Sequence, residues 1–460
     1  MKKLLALLLT MAMAGLLLVA CAGDDAPTVS DDTADHDHND CDHDHDHNDD
    51  NDNDHHHDYN DDAPDGLSPY AGQTVTVGIW AGSDAEIATR PGFFEEFTAQ
   101  TGIYVEERIY TDFETQLRTD LIGGTAPDVF YVDSFLFPDL QNEGVLVRMN
   151  DFIANTPGFN QDDFYQGVLS AFMTDDGGVY GLPKDFSTLG LFYNVGLLEE
   201  AGLSPDDIPD EMSDMPDFLR ELAAGLPDGV TPAATTADLA RHVFVLQANG
   251  TSITDDEGFA VLAEDDQLEY LQMLVDAFEE GLVARPADLG NDWSGDSFGL
   301  ENVAIMIEGN WAIAHIQQNF GDVDFGAREL PTMAGNKGTM VFTVCYAINA
   351  ASDQQGAAWE FVNFATGTEG MAIMAGGASL IPSRASTAEI LDLPNNAIMA
   401  PFVAAGAYAT PWQHGITLPI IVREYNNMLP AALSGDMTLR EAMEEAMRVA
   451  NNDIELHILH

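Results

Sequence analysis

The chain of 460 residues exceeds what one ordinary core organises, and its 45% hydrophobic content can fill two. It carries 16 basic residues against 78 acidic ones, a formal charge of −62. A surface of that sign repels phosphate backbones and excludes nucleic acid as a partner. The acidic excess runs along the whole chain, as in a surface kept soluble in high salt, with attraction of a cationic ligand as the other reading.

Met1-Lys2-Lys3 is a positive n-region and Leu4 to Leu17 an apolar h-region, so residues 1–20 read as a secretory signal. The following Leu18-Val19-Ala20-Cys21 resembles a bacterial lipobox. It implies acylation of Cys21 and anchoring to the outer face of the bacterial cell membrane; a single acyl chain holds weakly and two or three hold durably. No later apolar run of membrane-spanning length follows, so the remainder reads as exported and soluble. Residues 21–69 hold the acylated Cys and a tether. Within 22–66 there are 18 aspartates and eight histidines, His36, His38, His43, His45, His47, His55, His56 and His57. So few apolar groups cannot offset chain entropy, and the segment is expected to be disordered, spanning roughly 35–40 Å on average. The imidazoles make it either a solvated spacer or a loose metal-sequestering tail. Of the cysteines, Cys41 lies in this tether and Cys345 in an apolar strand, so no disulfide is forced.

The folded part begins near Tyr70. Thr74 to Trp80 alternates as a first strand; Pro91 opens a helix that stops at Gly102. Ile103 to Ile109 reads as a second strand, and Thr111-Asp112-Phe113-Glu114 has the form of a capping box for a helix ending at Gly123-Gly124. Pro127 to Asp133 is a nearly all-apolar third strand, hence central and parallel. Strands alternating with helices predict an α/β fold with right-handed crossovers, in which ligands bind beyond the carboxyl ends of strands. Trp80, Asp84, Asp133 and Phe135 occupy such ends, although an indole there can also cap a core and an aspartate cap a turn.

Tyr180 to Leu203 begins with a turn at Gly181 and Pro183 and places Lys184 and Asp185 at the mouth of the apolar run Leu189-Gly190-Leu191-Phe192-Tyr193. That run predicts a strand buried on both faces, leading into an amphipathic helix that ends at Gly202. Helical patterns follow at Ala234–Asn249 and Asp265–Gly281. Trp293 sits in a Gly/Asn/Asp/Ser loop. Val303 to Ile307 predicts a buried strand, Gly309 a tight turn and Trp311 a helix start. Val341 to Phe364 reads as strand then helix, Trp412 lies in TPWQHG, and Leu439 to Asn451 closes the chain as a helix.

Taken in order, these blocks resemble the sugar-binding branch of ABC-transporter solute-binding proteins, the maltose-binding-protein type. The residues that carry the resemblance are GTAPDVFYVD ending at Asp133, YGLP at Tyr180–Pro183 with YNVGLLEEAGL from Tyr193, FGLENVAIMIEGNW ending at Trp311, Glu329-Leu330-Pro331, Gly376-Gly377 with Ile381-Pro382-Ser383-Arg384, and the closing helix. One departure is Glu301-Asn302, where relatives carry Gly-Lys. The resemblance implies a periplasmic-binding-protein-like α/β fold of two lobes joined by three hinge crossings near Pro183, Pro331 and Gly376. One lobe would comprise 70–182 and 332–372, the other 183–331 and 373–460. A sugar or oligosaccharide would sit in the interlobe cleft and pass to the permease subunits, with no cofactor and no covalent chemistry, on a monomer. The candidate contacts are Trp80, Asp84, Asp133, Phe135, Lys184, Asp185, Trp293, Trp311 and Trp412, because an indole face matches the C–H face of a pyranose while carboxylates take its hydroxyls.

Three rival readings remain open. A secreted glycan-active enzyme needs two flanking carboxylates, which the composition supplies everywhere, but no hydrolase motif accompanies them. A metal-uptake protein needs ligands within the fold, where only His242, His315, His414, His457 and His460 occur, without metal-like spacing. A polyamine binder would use the same acidic and aromatic residues to hold ammonium groups.

Overall fold

The computed structural model describes residues 67–244, 250–378 and 380–457. Cys21, Cys41, the tether histidines and His460 lie outside the described residues, as does the side chain of His457.

Parallel strands open the fold. β1 (Thr74–Trp80) pairs in parallel with β2 (Tyr104–Tyr110) on one side and β3 (Val129–Asp133) on the other. Two connections through helices α1 (Asp84–Thr101) and α2 (Phe113–Gly123) make this possible. The chain later returns to add β9 (Met340–Ile348) antiparallel to β3, so β3 is central but parallel on one edge only. Between them come β4 (Leu182–Asn194), β5 (Thr231–Ala234), β6 (Val283–Ala284), β7 (Val303–Gly309) and β8 (Phe325–Arg328). The strand order is β2-β1-β3-β9-β4-β7-β5-β6, with β8 also on β4. Short β10 (Ile381–Pro382) pairs with β4, and β11 (Thr410–Pro411) with β9.

The 13-residue β4 joins the two halves. Its first part, Leu182 to Thr188, pairs with β9. Its second part, Leu189 to Tyr193, pairs with β7, and Leu191 to Asn194 with β8 on the other edge. One set of cores forms around β1–β3 and β9, including Phe93, Phe97, Tyr131, Tyr346 and Phe361. Another forms around β4–β8 and the closing helices, including Leu191, Phe218, Ile305, Tyr425 and Ile454. The described residues pack as one unit, and the two-part organisation shows in the strand pairing of β4.

Several boundaries differ from expectation for identifiable reasons. α1 starts at Asp84, not at Pro91, because Ser83 and Glu86 form a reciprocal capping box: Ser83 Oγ accepts the Glu86 N–H and Glu86 Oε2 the Ser83 N–H. Pro91 lies inside this helix, which ends at Gly102 in the left-handed region. The expected box at Thr111–Glu114 does not form. Gln116 Oε1 instead accepts the Thr111 and Asp112 N–H groups. Pro183, Lys184 and Asp185 lie within β4 rather than in a turn before it, with a register shift between Pro183 and Asp185 that absorbs the proline. Gly309 ends β7 instead of forming a separate turn. The helical pattern read over Ala234–Asn249 starts later than expected: β5 takes Ala234, a first helical turn spans Leu239–His242, and Phe244 is helical again ahead of 245–249, which lie outside the described residues. Gly376 and Gly377 lie inside the helix Thr368–Ala378 rather than at a break between elements, and the short strand β10 follows that helix.

Candidate functional site

Residues directly opposite on antiparallel strands share a face, and the register of β3, β9 and β4 lines up one row. Asp133 faces Val344, and Val344 faces Asp185. In the next row Phe342 faces Ser187. All five are half-buried, whereas the alternate positions Val132, Cys345, Thr343, Phe186 and Thr188 are buried. The central strands therefore present one partly open polar and aromatic face beside the point where β4 changes partners.

A charged cluster stands at one end. Lys184 Nζ ion-pairs with Asp185 and lies 3.4 Å from Glu86 Oε1, with its charge 5.2 Å from the Tyr131 ring centre. The Lys184, Glu86 and Asp185 side chains are 9%, 11% and 14% exposed. Burial opposes the Lys184 charge, but Asp185 and Glu86 outweigh it and hold the ammonium well above the ordinary lysine range. Burial likewise opposes ionisation of Glu86, and Lys184 with the Ser83 bonds reverses this, leaving its carboxyl below the usual range. Glu86 thus caps α1 and ties that helix start to the crossing strand. Trp80 covers the cluster's wall, edge-on to Tyr131 at 4.8 Å and to Phe113 at 5.0 Å.

Aromatic rings continue from the floor across the β4 switch. Trp311, the first residue of the helix Trp311–Asn319, meets Phe342 edge-on at 5.4 Å. Phe342 lies 6.5 Å from Trp412, and Trp412 stacks with Phe135 at 6.3 Å and 18°. Trp311 is half-buried and Trp412 is 8% exposed. These four rings come from the helix after β7, from β9, from just after β11 and from the loop after β3. Asp133 accepts the Leu136 N–H at 2.7 Å, which orders that loop, and burial pushes its carboxyl above the usual range against that bond.

Seven of the nine candidates therefore sit in this connected region: Trp80, Asp133, Phe135, Lys184, Asp185, Trp311 and Trp412. Asp84 starts α1, and its side chain lies outside the described ones. Trp293 makes no ring contact with this run; it precedes the helix Ser294–Gly299 and packs edge-on against His315 at 4.8 Å. Sequence reading missed Glu86, Tyr131, Phe342, Arg241 and Glu308. The S-x-x-E spacing of Ser83–Glu86 signals a helix start, but nothing local signals a partner 98 residues away. Arg241 sits in a stretch read as one long helix. Among the described residues no group of three or more His, Cys, Asp or Glu is placed to hold a metal, and Cys345 is a free, buried thiol.

The bacterial extracellular solute-binding protein family matches residues 92–401. The chain belongs to that family. Among relatives of this solute-binding protein is the maltooligosaccharide ABC transporter solute-binding lipoprotein of Streptococcus pneumoniae, 22% identical over 74% of this chain and 79% of its own. The sugar-binding protein MalE from Xanthomonas citri shares the fold with a TM-score of 0.73 at 18% identity, covering 84% of this chain and 98% of that one. The GacH receptor of Streptomyces glaucescens, solved unliganded and with acarbose, gives 0.69 at 19% identity over 85% and 99%. These likenesses establish a periplasmic-binding-protein-like α/β fold, and the family is one of binding proteins rather than enzymes.

Proposed function

We propose that this solute-binding protein takes up a sugar or oligosaccharide on the face between its two halves and hands it, unaltered, to the permease of an ABC transporter. The observation that carries the reading is the run of rings Trp311, Phe342, Trp412 and Phe135 beside half-buried Asp133 and Asp185. Flat apolar faces bordered by hydrogen-bonding carboxylates are what a sugar ring requires. The relatives' names and bound ligands point the same way. The lobes are assigned as 70–182 with 332–372 and 183–331 with 373–460, turning about the β4 switch, the region of Pro331 and the crossing at β10. Closure needs only a ligand that touches both lobes and so prefers the closed form. The receptor is proposed to work as a monomer, held to the cell surface through acylated Cys21.

A thermal-shift panel of neutral oligosaccharides, putrescine and zinc tests this. A ligand at one hundred times its Kd adds about 2.7 kcal/mol to stability, so at least one oligosaccharide is expected to raise the Tm by several degrees. A shift with putrescine or zinc and none with any sugar would contradict the proposal.

A further inference from the structure

Arg241 is one of few cations in a strongly acidic chain, and it is placed against the aromatic floor. Its guanidinium carbon lies 5.2 Å from the Trp311 ring centre and 5.9 Å from that of Phe342. Its Nε is 3.3 Å from both Glu308 oxygens and its Nη2 is 3.2 Å from Oε2. Arg241 is 18% exposed and Glu308 1%. The Nε–Nη2 edge of the fork is thus committed to Glu308, which leaves Nη1 on the far side with no partner among the described residues. An arginine fork has a fixed planar geometry, so anchoring one edge aims the other.

Resting on the sugar-binding reading, we infer that Arg241 is a ligand contact that sets the charge class of the solute: it donates through Nη1 to a hydroxyl or ring oxygen of a neutral sugar stacked on Trp311, and the site rejects sugars bearing carboxylates. Glu308 cancels the arginine charge in place, so the fork offers directed donors without a net attraction for anions. The neighbouring charges agree, because Glu86, Asp133 and Asp185 outnumber Lys184. A uronate brought to this face would meet carboxylates with no uncommitted cation, and like charges at close range exclude a partner. A neutral saccharide meets no such barrier and supplies acceptors for Nη1.

Calorimetric titration of the full chain with maltotriose, arabinotriose and trigalacturonate tests the assignment. The wild type is expected to bind at least one neutral trisaccharide and not trigalacturonate. Arg241→Lys, which keeps the charge but loses the fork, is expected to weaken the neutral ligand roughly tenfold or more. Glu308→Gln uncovers the arginine charge and is expected to raise trigalacturonate affinity at least tenfold. Should Arg241→Lys fail to fold, the double variant Arg241→Met/Glu308→Gln carries the comparison, because it removes the pair without orphaning a buried charge. Unchanged neutral-sugar affinity in the Arg241 variants, or a wild type that prefers trigalacturonate, would overturn the role of Arg241 while leaving sugar binding intact. A wild type that binds none of the three would overturn the sugar reading itself and this inference with it.

Discussion

Lys184 holds two carboxylates, half-buried Asp185 and buried Glu86, that have no other cation within ion-pair distance among the described residues. Removing one partner of a buried pair leaves uncompensated charge, which costs about 3–5 kcal/mol, so Lys184→Met is expected to lose about that much in urea denaturation. Trp311 predicts a different signature. Trp311→Ala takes away a stacking face worth roughly 1 kcal/mol beyond burial, so sugar Kd should rise at least about fivefold while the unliganded protein stays folded in the same titration. His242 gives the pH dependence. It is buried between Thr235 Oγ1 at 3.1 Å and the Tyr425 hydroxyl at 2.9 Å, and burial lowers its pKa to about 4. Unfolded, the ring titrates near 6.5. Between these values the unfolded state binds the proton and the native state does not. Its contribution is therefore complete above about pH 6.5 and is lost as pH falls towards 4, by about 3 kcal/mol in all. Denaturation midpoints measured from pH 7 to 4 should fall less steeply for His242→Gln than for the wild type.

At the scale of elements, β4 carries the most constraint. Gly190 lies just past the point where β4 exchanges β9 for β7, and an added Cβ there would come within 2.6 Å of the Phe402 ring and 3.1 Å of the Arg328 carbonyl. Buried ring and backbone cannot both retreat, so Gly190→Ala is expected to destabilise by roughly 1–3 kcal/mol, read as a lower thermal midpoint. Three hydroxyls hold the same region: Thr188 Oγ1 donates to the Phe402 carbonyl at 3.0 Å, Thr339 Oγ1 to that of Leu189 at 3.0 Å and Thr343 Oγ1 to that of Asp185 at 2.7 Å. Elements with strong local period were legible in the sequence, such as β1, β3, β7 and the helix Asp265–Glu279. What was illegible depended on distant partners. Nothing near Pro183 indicates that the strand runs through it, because the register shift against β9 is supplied by residues about 160 positions later. Ala234 to Asn249 reads as helix by period alone, yet Ala234 belongs to strand β5 and helix begins only at Leu239.

Across the whole molecule, the candidate site was legible as residue types at strand ends and only partly as a place. Trp80, Trp311 and Trp412 were nominated separately, and ring contacts bring the last two together through Phe342, a residue with no distinguishing local motif. Trp293 has the same composition signal but belongs to a packing contact with His315, since indoles in Gly-rich loops fill either role. The acidity of the chain, too, acquires a local meaning at this face, where each cation is already matched by a carboxylate. The measurement that bears most directly on the account is the crystal structure of the complex with whichever neutral oligosaccharide most raises the melting point. It should show a sugar ring against Trp311 and within reach of Asp133 or Asp185, with both halves in contact with the ligand. A sugar seated away from these residues, for instance on the outer surface around Trp359, or touching one half only, would contradict it.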